Sequence, residues 1–233
     1  SSDLLSKQIE FGASASVESN RHDSLLKFSY LKSFVREFST SKVLKSEINC
    51  YLKTDALKNA LDLASSARTN EEKLVLFAHI AGSIKDKGRI IDDHIIDQIE
   101  ALHDVLDTEN LGIETTIDIA ISLYPIFPDK SLELINGVDS LGEGGENKSD
   151  YAFLRFSMAL MNSKGGSFDS LEERLDTVSE KKKEFFSVLS LFKRGTPAKV
   201  ILSKLEKMED DGTELSVLRN WIKAFPEMKD NYL

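Results

Sequence analysis

The chain has 233 residues, one cysteine and a formal net charge of −9, and it is long enough to bury a sizeable apolar core. The lone Cys50 cannot form an internal disulfide, which fits a reducing compartment, so we expect a cytoplasmic protein. The acidic balance argues against nonspecific binding to nucleic acid, and the most apolar stretch, residues 74–82, is too short to span a bilayer.

The N-terminal part of the chain predicts a loosely ordered segment followed by helices. Residues 1–21 are rich in serine and contain one short helical pattern from Leu4 to Phe11. In residues 22–53, apolar side chains recur every three or four positions, first from Leu25 to Phe38 and then from Val43 to Tyr51. We therefore expect a loose segment over residues 1–21 and N-terminal helices over residues 22–53.

From residue 54 onward the helical patterns come in pairs, bounded by capping residues, glycines and prolines. The predicted helices cover residues 54–64, 70–87, 90–106, 111–124, 129–138, 150–161, 168–178, 181–192, 197–208 and 214–225. The first helices of the five pairs begin at intervals in or near the range expected for two-helix repeats. We expect an all-α protein of about 11–12 helices, in which residues 54–233 form one helical-repeat domain.

Small and large apolar residues alternate in these pairs in the manner of tetratricopeptide-like repeats, in which alanines let paired helices pack closely. Residues 56–64 (ALKNALDLA) followed by residues 71–81 (EEKLVLFAHIA) resemble such a pair, and residues 151–161 (YAFLRFSMALM) are similar. The resemblance covers residues 54–225, with an interruption at residues 142–148 (GEGGENK). It implies an α-solenoid of stacked antiparallel helical hairpins that binds a protein or peptide.

The negative charge is concentrated in the middle of the chain. Residues 68–150 hold 18 acidic and seven basic residues, and no lysine or arginine lies between Arg89 and Lys130. Five carboxylates in and just after the predicted helix 90–106 follow steps of four and three, which places them along one line, opposite the apolar residues. This acidic stripe consists of Asp93, Asp97, Glu100, Asp104 and Asp107.

The acidic stripe has three interpretations. Like charges at i,i+4 are slightly unfavourable for a helix, so the stripe suits a surface for a basic partner. An ordinary solvated outer face and a site for a divalent cation are the alternatives. We expect a non-enzymatic scaffold or adaptor that binds a protein or peptide. The sequence assigns no catalytic residue, metal ligand or cofactor, and it leaves the oligomeric state open.

Two other functions are compatible with the sequence. His103 and Asp104 resemble the central dyad of HD-type metal-dependent phosphohydrolases, with His79 and Asp118 as further ligands. Glu100 and His103 have the Glu-x-x-His spacing of di-iron bundles, but that chemistry needs a second copy of the motif, which the chain lacks. The other possibility is the helical sensing or regulatory region of a longer protein, and the serine at the start fits a processed chain.

Three further features favour structural roles. Cys50 lies on a helical pattern and behaves as a small hydrophobic residue there. The lysines at residues 181–183 are flanked by glutamates and predict a solvated helix start, with Phe185 and Phe186 entering the core. Trp221 is expected to seal the last hairpin, as the terminal repeat of a solenoid requires.

Overall fold

The computed structural model describes residues 41–140, 147–162, 167–206, 216–220 and 222–223. These residues form helices and connecting turns, and no strand occurs among them, which confirms the all-α class for this part of the chain. None of the described helices is both long and apolar enough to cross a membrane. Outside the described residues lie the predicted helices at Leu4–Phe11 and Leu25–Phe38, most of the loop at residues 142–148, and Trp221.

The chain divides between Leu106 and Asp107 into two compact units, here called the N-terminal unit and the C-terminal unit. The N-terminal unit contains the helices α1 Ser41–Lys53, α2 Leu57–Ser65, α3 Asn70–Asp86 and α4 Asp93–Asp104. The C-terminal unit contains α5 Ile113–Leu123, α6 Pro128–Asn136, α7 Asn147–Asn162, α8 Ser167–Glu172, α9 Glu180–Lys193 and α10 Ala198–Leu205. Short 3-10 turns lie at Thr108–Asn110, Gly137–Ser140 and Leu175–Thr177.

Helix α3 forms the centre of the N-terminal unit. Nine of its 17 residues are buried, on almost every side of the helix, and α1, α2 and α4 all pack against it. Thr69 caps the start of α3, because its side-chain oxygen accepts a hydrogen bond of 3.2 Å from the amide of Glu72. Since α1 packs on α2 and α3, the predicted N-terminal helix 43–51 shares one core with the first predicted repeat.

Helix α7 has the corresponding place in the C-terminal unit, where it packs against α5, α6, α8 and α9. Its Phe153 and Phe156 are completely buried, and Phe156 meets Tyr124 edge to face with ring centroids 5.4 Å apart. Phe168 and Phe186 stack at 4.5 Å and join α8 to α9 in the same core. The prediction that Phe186 enters the core is confirmed.

Several helices differ from the prediction in their bounds, and the predicted helix 168–178 divides into α8, which ends at Glu172, and the 3-10 turn at Leu175–Thr177. The predicted helix 90–106 begins only at Asp93, because the carboxylate of Asp92 accepts a hydrogen bond of 2.9 Å from the amide of His94 and caps the helix there. It ends at Asp104, where Val105 leaves the helical conformation. Helix α7 begins at Asn147, three residues before the predicted start, so the last two residues of the predicted loop 142–148 are helical.

Candidate functional site

Helix α4 positions the acidic residues that the sequence singles out. Ile95, Ile99 and Leu102 are at most 6% exposed and occupy the side of α4 that packs towards α3. Because these three residues recur at four and three positions, they form one apolar stripe along the helix. The opposite side of α4 is therefore turned towards solvent.

Four acidic residues occupy this solvent side, and we call them the acidic face of α4. They are Asp93, Asp97, Glu100 and Asp104. Asp93, Asp97 and Asp104 are exposed and Glu100 is half-buried. Within the described part of the chain, neither Asp93 nor Asp97 has a side-chain hydrogen bond or ion pair. Asp93 and Asp97 are therefore free to meet a cation from outside.

The fifth residue of the predicted acidic stripe does not belong to this face. Asp107 is exposed, but α4 ends three residues earlier and Asp107 precedes the 3-10 turn Thr108–Asn110 in the C-terminal unit. Its carboxylate accepts a hydrogen bond of 2.7 Å from the side-chain amide of Asn110. The prediction that Asp107 continues the stripe is wrong, because the spacing was read on a helix longer than the one that forms.

The predicted ligands of a metal-dependent phosphohydrolase are not gathered into a metal site. His103 Nδ1 lies 3.7 Å from Asp104 Oδ1, but the Asp104 side chain is 73% exposed, whereas an HD dyad needs a buried setting. Asp118 is exposed on α5. Among the described residues, no three histidine, cysteine or acidic side chains come together in a way that could hold a metal ion. Glu100 and His103 are among these residues, so no third ligand lies beside their Glu-x-x-His spacing.

His79 has a structural environment in the N-terminal unit. It lies on α3, and its Nε2 donates a hydrogen bond of 2.8 Å to the Oδ1 of Asn49 on α1. Burial lowers the pKa of its imidazole from 6.5 to about 4, and the nearby positive charge of Lys45 adds to this effect. The ring is therefore neutral at pH 7 and joins α1 to α3.

Cys50 is buried on α1, as expected for a small hydrophobic residue. Burial raises the pKa of its thiol, partly offset by the positive charge of Lys53, so little thiolate forms at neutral pH. This environment disfavours the thiolate, which is the nucleophilic form of cysteine.

Lys182 is a residue whose setting the sequence did not predict. It is only 6% exposed, and its ammonium donates hydrogen bonds to Asn136 on α6, at 2.9 Å, and to the hydroxyl of Ser149 on α7. The expectation that all three lysines 181–183 are solvated is therefore wrong at the middle position. A signal existed: Lys182 precedes Phe185 and Phe186 by three and four positions, so it shares the buried face of α9.

Comparison of the chain with protein-family models, curated proteins and solved structures finds no match.

Proposed function

We propose that this chain is a non-enzymatic scaffold or adaptor that binds a basic protein or peptide segment along the acidic face of α4. The observation that carries the proposal is the exposure of three of its four carboxylates on a helix whose other side is fixed in the core. A rigid surface of this kind keeps the spacing of its charges when a partner binds.

The charge pattern suits a helical partner. The carboxylates at positions 93, 97, 100 and 104 lie one turn apart along the same side of α4, over a length of about 16 Å. Lysines or arginines repeated at steps of four and three on a partner helix have the same spacing. Opposite charges in this arrangement speed association at low salt and fix the register of the two helices.

The packing within each unit supports a helical-hairpin architecture as part of this proposal. In the N-terminal unit α1 contacts α3 as well as α2, and in the C-terminal unit α5 contacts α7 and α7 contacts α9. Contacts between a helix and the second helix after it are a feature of stacked hairpins. We therefore keep the tetratricopeptide-like resemblance as the proposed arrangement, in which binding surfaces are displayed on successive helices.

The test uses a synthetic amphipathic peptide with four lysines at steps of four, three and four, and a second peptide with glutamines at those positions. Binding to the full chain is measured by fluorescence anisotropy at about 50 and 300 mM salt, because charge pairing at an exposed surface weakens as salt screens it. We expect the lysine peptide to bind at low salt and to lose at least about tenfold in affinity at high salt.

A charge-reversed variant, with Asp97→Lys, Glu100→Lys and Asp104→Lys, identifies the surface. A matched control reverses three acidic residues of the C-terminal unit, Glu172→Lys, Glu173→Lys and Glu184→Lys, so that the net charge changes equally. We expect the α4 variant to lose binding of the lysine peptide and the control to keep most of it. Equal losses in the two variants would mean that net charge, and not the acidic face of α4, attracts the peptide.

A further inference from the structure

The N-terminal unit contains a cavity of about 400 Å³, a volume within the range of small-molecule sites. It lies where the last turns of α1 and α3 meet the start of α2 and the first turn of α4. Five aliphatic side chains contribute to its wall: Leu52, Leu57, Ile84, Ile90 and Ile95. Polar residues of the wall are concentrated in the connector between α3 and α4.

Two cations of this connector, Lys87 and Arg89, retain unused hydrogen-bond donors. Lys87 Nζ donates to the backbone oxygen of Leu52 at 2.7 Å, and no carboxylate of the described residues pairs with it. Arg89 Nη1 donates to Asp55 Oδ1 at 2.9 Å, which leaves the other guanidinium donors available. The described residues therefore give the ammonium a neutral carbonyl as its hydrogen-bond acceptor, and its charge acts on the Asp55 carboxylate only through space.

The two carboxylates of the wall are already engaged. Asp55 accepts the hydrogen bond from Arg89, which holds the pKa of its carboxyl below the ordinary value. Asp92 accepts the hydrogen bond from the amide of His94 that starts α4. The wall thus holds two cations and two carboxylates, but Asp55 is paired with Arg89 and Asp92 with the amide at the start of α4, whereas the ammonium of Lys87 has hydrogen-bond donors left for the carboxylate of a ligand.

Ile90 adds an apolar surface that a ligand would cover. It is 97% exposed, whereas Leu52, Ile84 and Ile95 of the same wall are at most 9% exposed. An aliphatic chain that enters the cavity meets the buried side chains and also removes Ile90 from water, which favours binding.

We propose that this cavity binds a small amphiphilic carboxylate. The carboxylate lies between Lys87 and Arg89, where a charge-assisted hydrogen bond from the ammonium replaces one to water. The aliphatic chain packs against Ile84, Ile95 and Ile90. The site is independent of the proposed function, because α4 contributes its inner residue Ile95 to the cavity and its acidic face lies on the other side.

The experiment titrates the ¹⁵N-labelled full chain with sodium octanoate and follows amide chemical shifts. Two probes of the same chain length, octan-1-ol and octylamine, separate the contribution of the head group. We expect saturable shifts at residues 52–57 and 83–95, with octanoate binding at least about fivefold more tightly than either other probe. No saturable shift in these residues, or octylamine binding as tightly as octanoate, overturns the proposal.

Substitutions in the full chain locate the two ends of the ligand. We expect Lys87→Met to weaken octanoate at least about fivefold and to leave octan-1-ol nearly unchanged. We expect Ile90→Ser to weaken both probes without affecting the fold, because the side chain is exposed in the free protein. Lys73→Met, near the other end of α3, is the control and should change neither. If Lys87→Met weakens both probes equally, the carboxylate does not bind there.

Discussion

Among the residues that the structure describes, three end helices in the left-handed conformation: Asp55 after α1, Gly88 after α3 and Gly195 after α9. At each end, the next amide donates a hydrogen bond to a carbonyl five residues earlier: Ala56 to Tyr51 at 2.9 Å, Arg89 to Ile84 at 3.2 Å and Thr196 to Leu191 at 3.0 Å. This is the Schellman arrangement, which satisfies carbonyls that the helix leaves free. The glycine stop at Gly88 was predicted from the sequence. The helix end at Asp55 was not predicted, because residues other than glycine rarely adopt this backbone conformation.

At Gly88 the effect of the backbone conformation can be separated from the effect of side-chain packing. A Cβ atom at Gly88 or at Gly137 meets nothing within 4 Å, but Gly88 has a φ of +67° and Gly137 a φ of −73°. We expect Gly88→Ala to lower the free energy of unfolding by about 1 kcal/mol, because the left-handed conformation is strained for alanine. We expect Gly137→Ala to raise it by about 0.5 kcal/mol. Urea unfolding measures the free energy of unfolding of both variants. A change in the same direction for Gly88→Ala and Gly137→Ala would contradict this explanation.

From the lowered pKa of His79 we predict that the folded protein loses stability in mild acid. Its folded pKa of about 4 lies below the ordinary value of 6.5, so the unfolded chain binds the proton more readily. The stabilisation is fully present above pH 6.5 and is lost as the pH falls from there towards 4. Because part of the ring remains exposed, we expect this residue to account for about 1 kcal/mol between pH 7.5 and 5.

The contribution of His79 is isolated by His79→Gln, which cannot titrate but can still donate a hydrogen bond to Asn49. Urea unfolding of the wild type and the variant is compared at pH 7.5 and at pH 5. Acidic residues elsewhere in the chain affect both proteins alike, so the difference between the two losses belongs to His79. A wild type that loses no more stability than the variant would show that the imidazole is not held neutral by the fold.

At the scale of elements, Lys182 joins three helices of the C-terminal unit. Its aliphatic stem passes into the buried side of α9, and its ammonium reaches Asn136 on α6 and Ser149 on α7 and lies 5.9 Å from the centre of the Phe153 ring. The Ser149 hydroxyl in turn donates to the backbone oxygen of Ile135 at 3.4 Å. A buried cation that is bonded in this way fixes the register of the helices it touches.

Removal of this contact should be costly. We expect Lys182→Ala to lower the free energy of unfolding by about 2–4 kcal/mol, because it leaves buried polar groups without their donor and opens space in the core. The adjacent Lys183 pairs with Glu180 at the surface, and Lys183→Ala should leave the urea midpoint nearly unchanged. Similar midpoints for the two variants would show that Lys182 is not a structural link.

The sequence predicts most elements and misses particular ends. The apolar periodicity located α4, but Ile90 and Ile91 continue the pattern before the point where the side chain of Asp92 caps the helix. Periodicity reports which face is apolar, and it does not show where a backbone amide finds a side-chain acceptor. The same limit explains why Asp107 was assigned to the acidic stripe.

At the scale of the whole molecule, the division into units changes the interpretation of the charge. Residues 1–106 hold 14 basic and 16 acidic residues, and residues 107–233 hold 16 and 23. Most of the net negative charge therefore belongs to the C-terminal unit, whereas the acidic face of α4 belongs to a unit that is nearly neutral. A partner that recognises α4 must respond to the local arrangement of carboxylates, since the net charge of that unit contributes little.

The grouping of helices into units was the least predictable property. The spacing of helix starts suggested that one repeat domain begins at residue 54, but α1 packs on α2 and α3, and the units divide near residue 106. Spacing along the chain does not record which apolar faces meet, because many helices have similar faces. The cavity was missed for the same reason, since it combines residues from four segments that only the packing brings together.

The central position of α3 has a consequence for the synthesis of the protein. Helices α1 and α2 leave the ribosome before α3 and can cover part of its apolar surface at once. Helix α4 follows about one to four seconds later at ordinary rates of translation. During that interval the side of α3 that α4 will cover is open to water, to chaperones and to other nascent chains. The N-terminal unit therefore reaches its final packing only after α4 has been synthesised.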